Sequence, residues 1–153
     1  MALALVACDA RPPIVRPRWE HFAHGMEIGV RGIGPTRESA FEQAAIALAA
    51  IAVDPAAVRP GRVVVIGCAE PEDRMLLVSW LGAVAFEMAV RRMVFVRFAL
   101  RIDGCAIAAR AWGEEIDTAR HGPSAHPRGA CFDAADVHRD DDGAWRAQCV
   151  VDA

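Results

Sequence analysis

The fold of this chain turns on one stretch near its start, Trp19–Gly34, which reads WEHFAHGMEIGVRGIG. Apolar and polar residues alternate through it, the period-2 pattern of an extended chain with one buried face. Four glycines, Gly25, Gly29, Gly32 and Gly34, let the backbone turn sharply or pass close to a neighbour. The spacing predicts one or two strands over residues 19–33. Glu20, His21, His24 and Glu27 crowd into the same segment, so a strand edge rich in oxygen and nitrogen ligands feeds directly into a helix. Pro35-Thr36 ends the extended run, with Thr36 as N-cap and Glu38 in the first turn, where negative charge is favourable.

Working outward, Phe41, Ala44, Ala45, Leu48, Ile51 and Ala52 recur at helical spacing on a small-residue face suited to lying close to a sheet. Asp54-Pro55 ends that helix, which is expected near 36–53. Val63–Ile66 is a β-branched run and reads as a buried strand. A second helix is expected over 72–92, with Leu77, Trp80, Leu81, Val84 and Met88 on one face and Glu87–Arg91 as an i,i+4 pair. Its uncharged run, Met75–Phe86, is shorter than the ~20 residues a membrane span needs.

Val94, Val96, Phe98, Leu100 and Ile102 alternate with Arg97 and Arg101, and Asp103-Gly104 turns the chain into a partner strand over 105–112. Residues 113–127 read as polar and irregular. Strands over 129–138 and 145–151 follow, joined by a hairpin turn at Asp142-Gly143. The order predicts a single compact α+β domain, with mainly antiparallel sheets and two main helices, over residues 19–153; residues 1–18, with Pro12, Pro13 and Pro17, are an irregular lead-in.

Bulk composition narrows the function. The net charge of −3 gives no general support for a nucleic-acid binder, although it allows a local basic patch. Every cation is Arg, so Lys Schiff-base and P-loop chemistry are closed. Cys8, Cys68, Cys105, Cys131 and Cys149 form no CxxC pair and read as reduced, mostly buried thiols. Leu5-Val6-Ala7-Cys8 resembles a lipoprotein box, but no positive charge precedes it and the apolar run is short, so the expectation is a cytoplasmic protein.

Glu27 reads either as an edge-strand carboxylate in water or as a ligand for a hard cation, which takes six or more oxygens if it is calcium. His21 and His24 would point to opposite faces of a strand. Asp152 ends the last strand beside Ala153, so Glu27 and Asp152 would converge if that strand pairs with the first segment. Asp140-Asp141-Asp142-Gly143 lacks the later Glu of a calcium loop and reads as a hairpin turn. Glu114, Asp117 and His121 form a loop cluster, either solvated or in contact with a partner. No GxSxG, Walker or dinucleotide fingerprint is present.

HGMEIGVRGIGPTRESAFEQAAIAL (24–48) resembles the opening of the archease family. So do MLLVSWLGAVAFEM followed by RMVFVRF, the segment AWGEEIDTARH, and the closing GACFDAADV and WRAQCVVDA, all in register from about Trp19 to Ala153. The resemblance implies a small α+β protein cofactor, not an enzyme. Such a protein promotes guanylylation and multiple turnover of an RtcB-type RNA ligase in tRNA splicing and RNA repair, and meets tRNA indirectly through the ligase. It also implies a divalent cation, calcium first, on Glu27, Asp152 and the carbonyl of Ala153. His24, Glu114, Asp117, His121 and Asp133 would stand behind the cation or contact the partner, and no residue is expected to be catalytic.

Three positions depart from the family's usual residues: Glu27 for Asp, Ser79 for Asp, and Asp133 for His or Thr. The longer Glu27 side chain must reposition its carboxylate by one methylene. The competing expectations are a stand-alone metal-dependent hydrolase or nuclease using His24, Glu27 and Asp152, and a chaperone-like interaction protein.

Overall fold

A computed structural model describes residues 14–122, 127 and 129–152. Among these residues seven strands and two long helices follow in chain order: β1 (Arg18–His24), β2 (Glu27–Gly34), α1 (Arg37–Ala52), β3 (Arg62–Ala69), α2 (Asp73–Arg91), β4 (Met93–Asp103), β5 (Ala106–Glu115), β6 (Gly129–Arg139) and β7 (Trp145–Asp152). A short 3-10 turn covers Pro55–Ala57, and one helical turn, α3, covers Thr118–His121. The strands form two antiparallel sheets, of order β1-β2-β7-β6 and β3-β5-β4. The α+β class is therefore as the sequence predicts.

Each long helix touches strands of both sheets, so the core lies along the helix pair. The Thr36 hydroxyl accepts from Ser39 N–H at 3.0 Å and caps α1 as expected. Small residues then decide how close α1 lies to the first sheet. A Cβ on Gly32 would stand 1.9 Å from the Ala40 carbonyl oxygen, so only glycine lets the helix backbone reach this strand. Phe41, Ala44, Ala45 and Leu48 are completely buried. On α2, Leu77, Trp80, Leu81 and Val84 are likewise buried, and Met88 nearly so. The Trp80 indole donates to the Phe41 carbonyl at 3.0 Å, which ties the helices together and satisfies the one polar atom of that ring.

The structure corrects several expectations. Residues 113–127 are not irregular from their start: β5 continues through Glu115, and α3 follows, with Asp117 accepting from Ala119 N–H. Glu114 thus belongs to a strand. Val63–Ile66 is only half buried, because one face of its sheet is open to solvent: Val64 and Ile66 face the core, while Val63 and Val65 are 54% and 75% exposed. The alternation of β4 breaks at a bulge between Phe95 and Arg97, which turns Phe95 into the core beside Phe98. The thiols are not mostly buried: Cys149 is, Cys68 is half-buried, and Cys105 and Cys131 are exposed. Both predicted hairpin turns form, with Gly104 and Gly143 at positive φ. Residues 1–13 of the lead-in, Cys8 among them, lie outside the described residues, as does Ala153.

Candidate functional site

The first hairpin is held by pairing from Arg18↔Ile33 to His24↔Glu27, across a two-residue turn at Gly25-Met26. On its other side β2 pairs with β7, and the last pair toward this end is Ile28↔Val151. Glu27 and Asp152 are the next residues on each strand. Asp152 in turn stands opposite Gly129 of β6. Residues opposite one another in an antiparallel sheet share a face. His24, Glu27 and Asp152 therefore form one row at one end of the four-stranded sheet, and all three residues are exposed. Glu27 starts an interior strand, not an edge strand, and only its position at the strand end leaves it in water.

The sheet sets two carboxylates side by side. Like charges directly opposite one another on adjacent strands destabilise the pair. Their donor set is oxygen only, which suits a hard cation. Among the described residues, no group of three or more His, Cys, Asp and Glu side chains gathers closely enough to hold a metal. His21 does point the other way: its ring Nε2 lies 2.7 Å from the Ala47 carbonyl of α1 and donates to it.

Behind the acidic row, the same face of the sheet is tied together by charge. The Phe22 ring lies over Gly29, where a Cβ would meet it at 2.2 Å. The Arg31 guanidinium stands 4.5 Å from the centre of that ring and donates to Glu20 at 2.6 Å and to Gln148 at 2.8 Å. Arg31 chiefly, with Arg18, holds the Glu20 carboxyl below its usual range. Further along, His138 bridges Asp136 and Asp140 at 2.6 and 2.8 Å, and Arg146 pairs with Asp140 and lowers its carboxyl pKa.

The other expected residues fall elsewhere. Glu114 accepts from Arg120 and from the Arg59 N–H, and these contacts bring its carboxyl down to about 2. Arg120 also donates to the Ala57 carbonyl at 2.9 Å. The His121 Nδ1 accepts from Asp117 N–H at 2.9 Å, which puts the ring proton on Nε2. That buried Nε2 faces Glu114 at 3.5 Å without making a hydrogen bond. Glu114, Asp117, Arg120 and His121 thus form a closed clasp between the end of β5 and the turn after α1, distinct from the row of His24, Glu27 and Asp152. Ser79, on α2, donates to the Glu70 carboxylate at 2.9 Å. Asp133 lies in β6, but its side chain is outside the described residues.

Sequence reading missed a second surface. On the outward side of the three-stranded sheet, registers align Val63–Trp112–Arg97, Val65–Arg110–Ala99 and Gly67–Ala108–Arg101 in successive rows. The alternating arginines of β4 were its only signal, and they read equally well as the solvated side of a strand.

The Archease protein family (MTH1598/TM1083) matches residues 19–153. The chain is 33% identical over 139 residues to Protein archease of Thermococcus gammatolerans, covering 88% of this chain and 98% of that protein. It is 32% identical to Protein archease of Pyrococcus furiosus over the same shares. Its fold matches the solution structure of Methanobacterium thermoautotrophicum protein 1598 with a TM-score of 0.74 at 23% identity, covering 88% of this chain and 98% of that one. It also matches the crystal structure of an archease, possible chaperone, from Thermotoga maritima with a TM-score of 0.58 at 12% identity, covering 94% and 98%. With the family matched from the first strand to the last residue, this chain belongs to the archease family.

Proposed function

We propose that this protein is an accessory factor that promotes guanylylation and multiple turnover of an RtcB-type RNA ligase in tRNA splicing and RNA repair. In this reading it holds a divalent cation, calcium first, through Glu27 and Asp152, with the carbonyl of Ala153 completing the protein's share. The observation that carries the reading is the register of β2 against β7, which sets Glu27 and Asp152 next to each other at one exposed strand end of an archease-family chain. The donor chemistry fits a hard ion, because both side chains offer carboxylate oxygen and mutual repulsion falls when a cation lies between them. Bound there, the ion would supply positive charge where a nucleotide triphosphate needs its charge neutralised. His24, opposite Glu27 on the hairpin, stands where it can hydrogen-bond a ligand or the ligase.

The test mixes the cognate ligase, GTP and Mn²⁺ with wild-type protein, Glu27→Gln or Asp152→Asn. Guanylylated ligase and turnovers of broken RNA are then counted. Wild-type protein should raise both, each variant should lose the stimulation with its melting curve intact, and the protein alone should join nothing. Equal turnover with and without wild-type protein sinks the reading. RNA cleavage by the protein alone would promote a stand-alone metal-dependent hydrolase in its place.

A further inference from the structure

The outward side of the three-stranded sheet is open and shallow, a depression of about 540 Å³ lined by Val65, Ala99, Arg101, Ala108, Arg110 and Trp112, with Glu42 at its rim. Its charge is one-sided. Arg97, Arg101 and Arg110 are exposed, and Arg101 and Arg110 have no carboxylate partner among the described residues. Arg97 lies over the half-buried Trp112 ring at 4.8 Å, a contact that leaves the guanidinium its hydrogen-bond donors.

The carboxylates nearby are engaged or peripheral. Glu42 accepts from Leu100 N–H at 2.8 Å on the edge of β4. Glu114 is taken by Arg120, and Asp103 stands beyond the last of the three rows. Between the arginines lie Ala99, Ala108 and Gly67, small residues that leave the surface low and let a ligand's backbone come close. Val63 and Val65 add exposed apolar surface beside the tryptophan.

We infer that this face binds a stretch of single-stranded nucleic acid directly. Guanidinium groups pair with phosphate oxygens in a bidentate fork, and three of them on one open face match a chain of regularly spaced anions. Bases have apolar faces that stack on an aromatic side chain and pack against flat aliphatic surface, without need of a deep pocket. An acidic protein segment would satisfy the arginines but leave Trp112, Val63 and Val65 without a matching partner, so the mixed character of the face favours a polynucleotide. The inference does not depend on the ligase reading: it assigns a contact made by this chain alone, on a different sheet from Glu27 and Asp152.

The experiment measures anisotropy of a labelled, unstructured 12-nucleotide RNA titrated with the full chain at several salt concentrations, without any ligase. Three phosphate contacts at about −0.7 each predict a slope of log K on log salt near −2. Affinity should then fall about a hundredfold from 50 to 500 mM salt. The triple variant Arg97→Gln/Arg101→Gln/Arg110→Gln should weaken binding at least tenfold and flatten the slope. Val65→Glu, at an exposed position that costs the fold little, should weaken binding without touching an arginine. Arg91→Gln on α2 should leave it unchanged. Failure to bind at 50 mM salt overturns the inference, and so does binding that survives both face variants. An equally tight, variant-sensitive complex with a Glu-rich 12-residue peptide would reassign the face to an acidic protein.

Discussion

On the four-stranded sheet, Arg31 meets Glu20, Gln148 and the Phe22 ring, and Arg146 meets Asp140. On the three-stranded sheet, Arg101 and Arg110 stand among alanines and valines with no carboxylate partner among the described residues. Both sheets turn alternating residues outward, and both carry arginine there. The first uses Arg31 and Arg146 to fix neighbouring strands, and the acidic row of His24, Glu27 and Asp152 stands exposed at its end. The second leaves cations unpaired across its middle. One molecule therefore presents an acidic strand end and a basic open face, each on a surface that the shared core holds rigid.

That rigidity is the first thing to break. Trp80 is fully buried between the helices, hydrogen-bonded to Phe41 and edge-on to Phe98 of the second sheet at 5.8 Å. Trp80→Ala should cost about 3–5 kcal/mol. For a chain of this size that is a fall in Tm of roughly 10 °C. Calorimetry should show one cooperative transition moving as a whole. An unchanged Tm, or two separated transitions, would mean that the faces do not share a core.

Calcium sharpens the acidic end next. At a hundredfold excess over its Kd, a ligand that prefers the native state stabilises it by about 2.7 kcal/mol. Calcium titration should raise the Tm of wild-type protein, and Glu27→Gln or Asp152→Asn should remove the increase. An identical increase in both variants would place the cation elsewhere.

The paired and unpaired arginines should then separate in stability. Arg31→Ala strips two charge-assisted hydrogen bonds and a ring contact from a half-buried site. Partial exposure screens them, so the cost should be about 1–2 kcal/mol. Arg110→Ala removes no such contact and should stay within about 0.5 kcal/mol of wild type. Urea midpoints compare the two directly. Equal losses would erase the distinction between a guanidinium that holds the fold and one that is available to a ligand.

How much of this was legible beforehand follows from the range of each interaction. Thr36 as N-cap, the two Gly-bearing hairpin turns and the buried stripe of Trp80 are local patterns, and the sequence displays them within a few residues. The row of Glu27 and Asp152 was conditional, because it needed β2 to lie beside β7, a pairing across more than a hundred residues. The half-buried state of β3 was hidden for a similar reason: Val63–Ile66 reads the same in a sheet with one open face as in a sheet covered on both. The open arginine face was the least legible. Whether Arg110 has a partner depends on which carboxylates other strands bring near, and spacing along β5 carries no sign of that.

Glu114 gives the smallest effect and tests the boundary between the two kinds of surface. It stands at one end of the arginine face, but Arg120 chiefly, and then the Arg59 N–H, hold its carboxyl down to about 2 from an ordinary 4.5. A folded-state pKa below the unfolded value means that the unfolded chain takes up the proton first as pH falls. The contribution of Glu114 to stability is therefore complete above about pH 4.5 and is lost as pH falls toward 2. Glu114→Gln should flatten this part of the acid limb, so that wild type loses more stability than the variant between pH 5 and pH 2.5 in urea unfolding. Glu42, whose carboxyl is pushed up chiefly by burial, works in the opposite direction, and it is present in both proteins. Parallel acid limbs would mean that Arg120 does not hold Glu114. Its carboxylate would then be available to Arg110 and its neighbours, and the face would no longer be one-sided in charge.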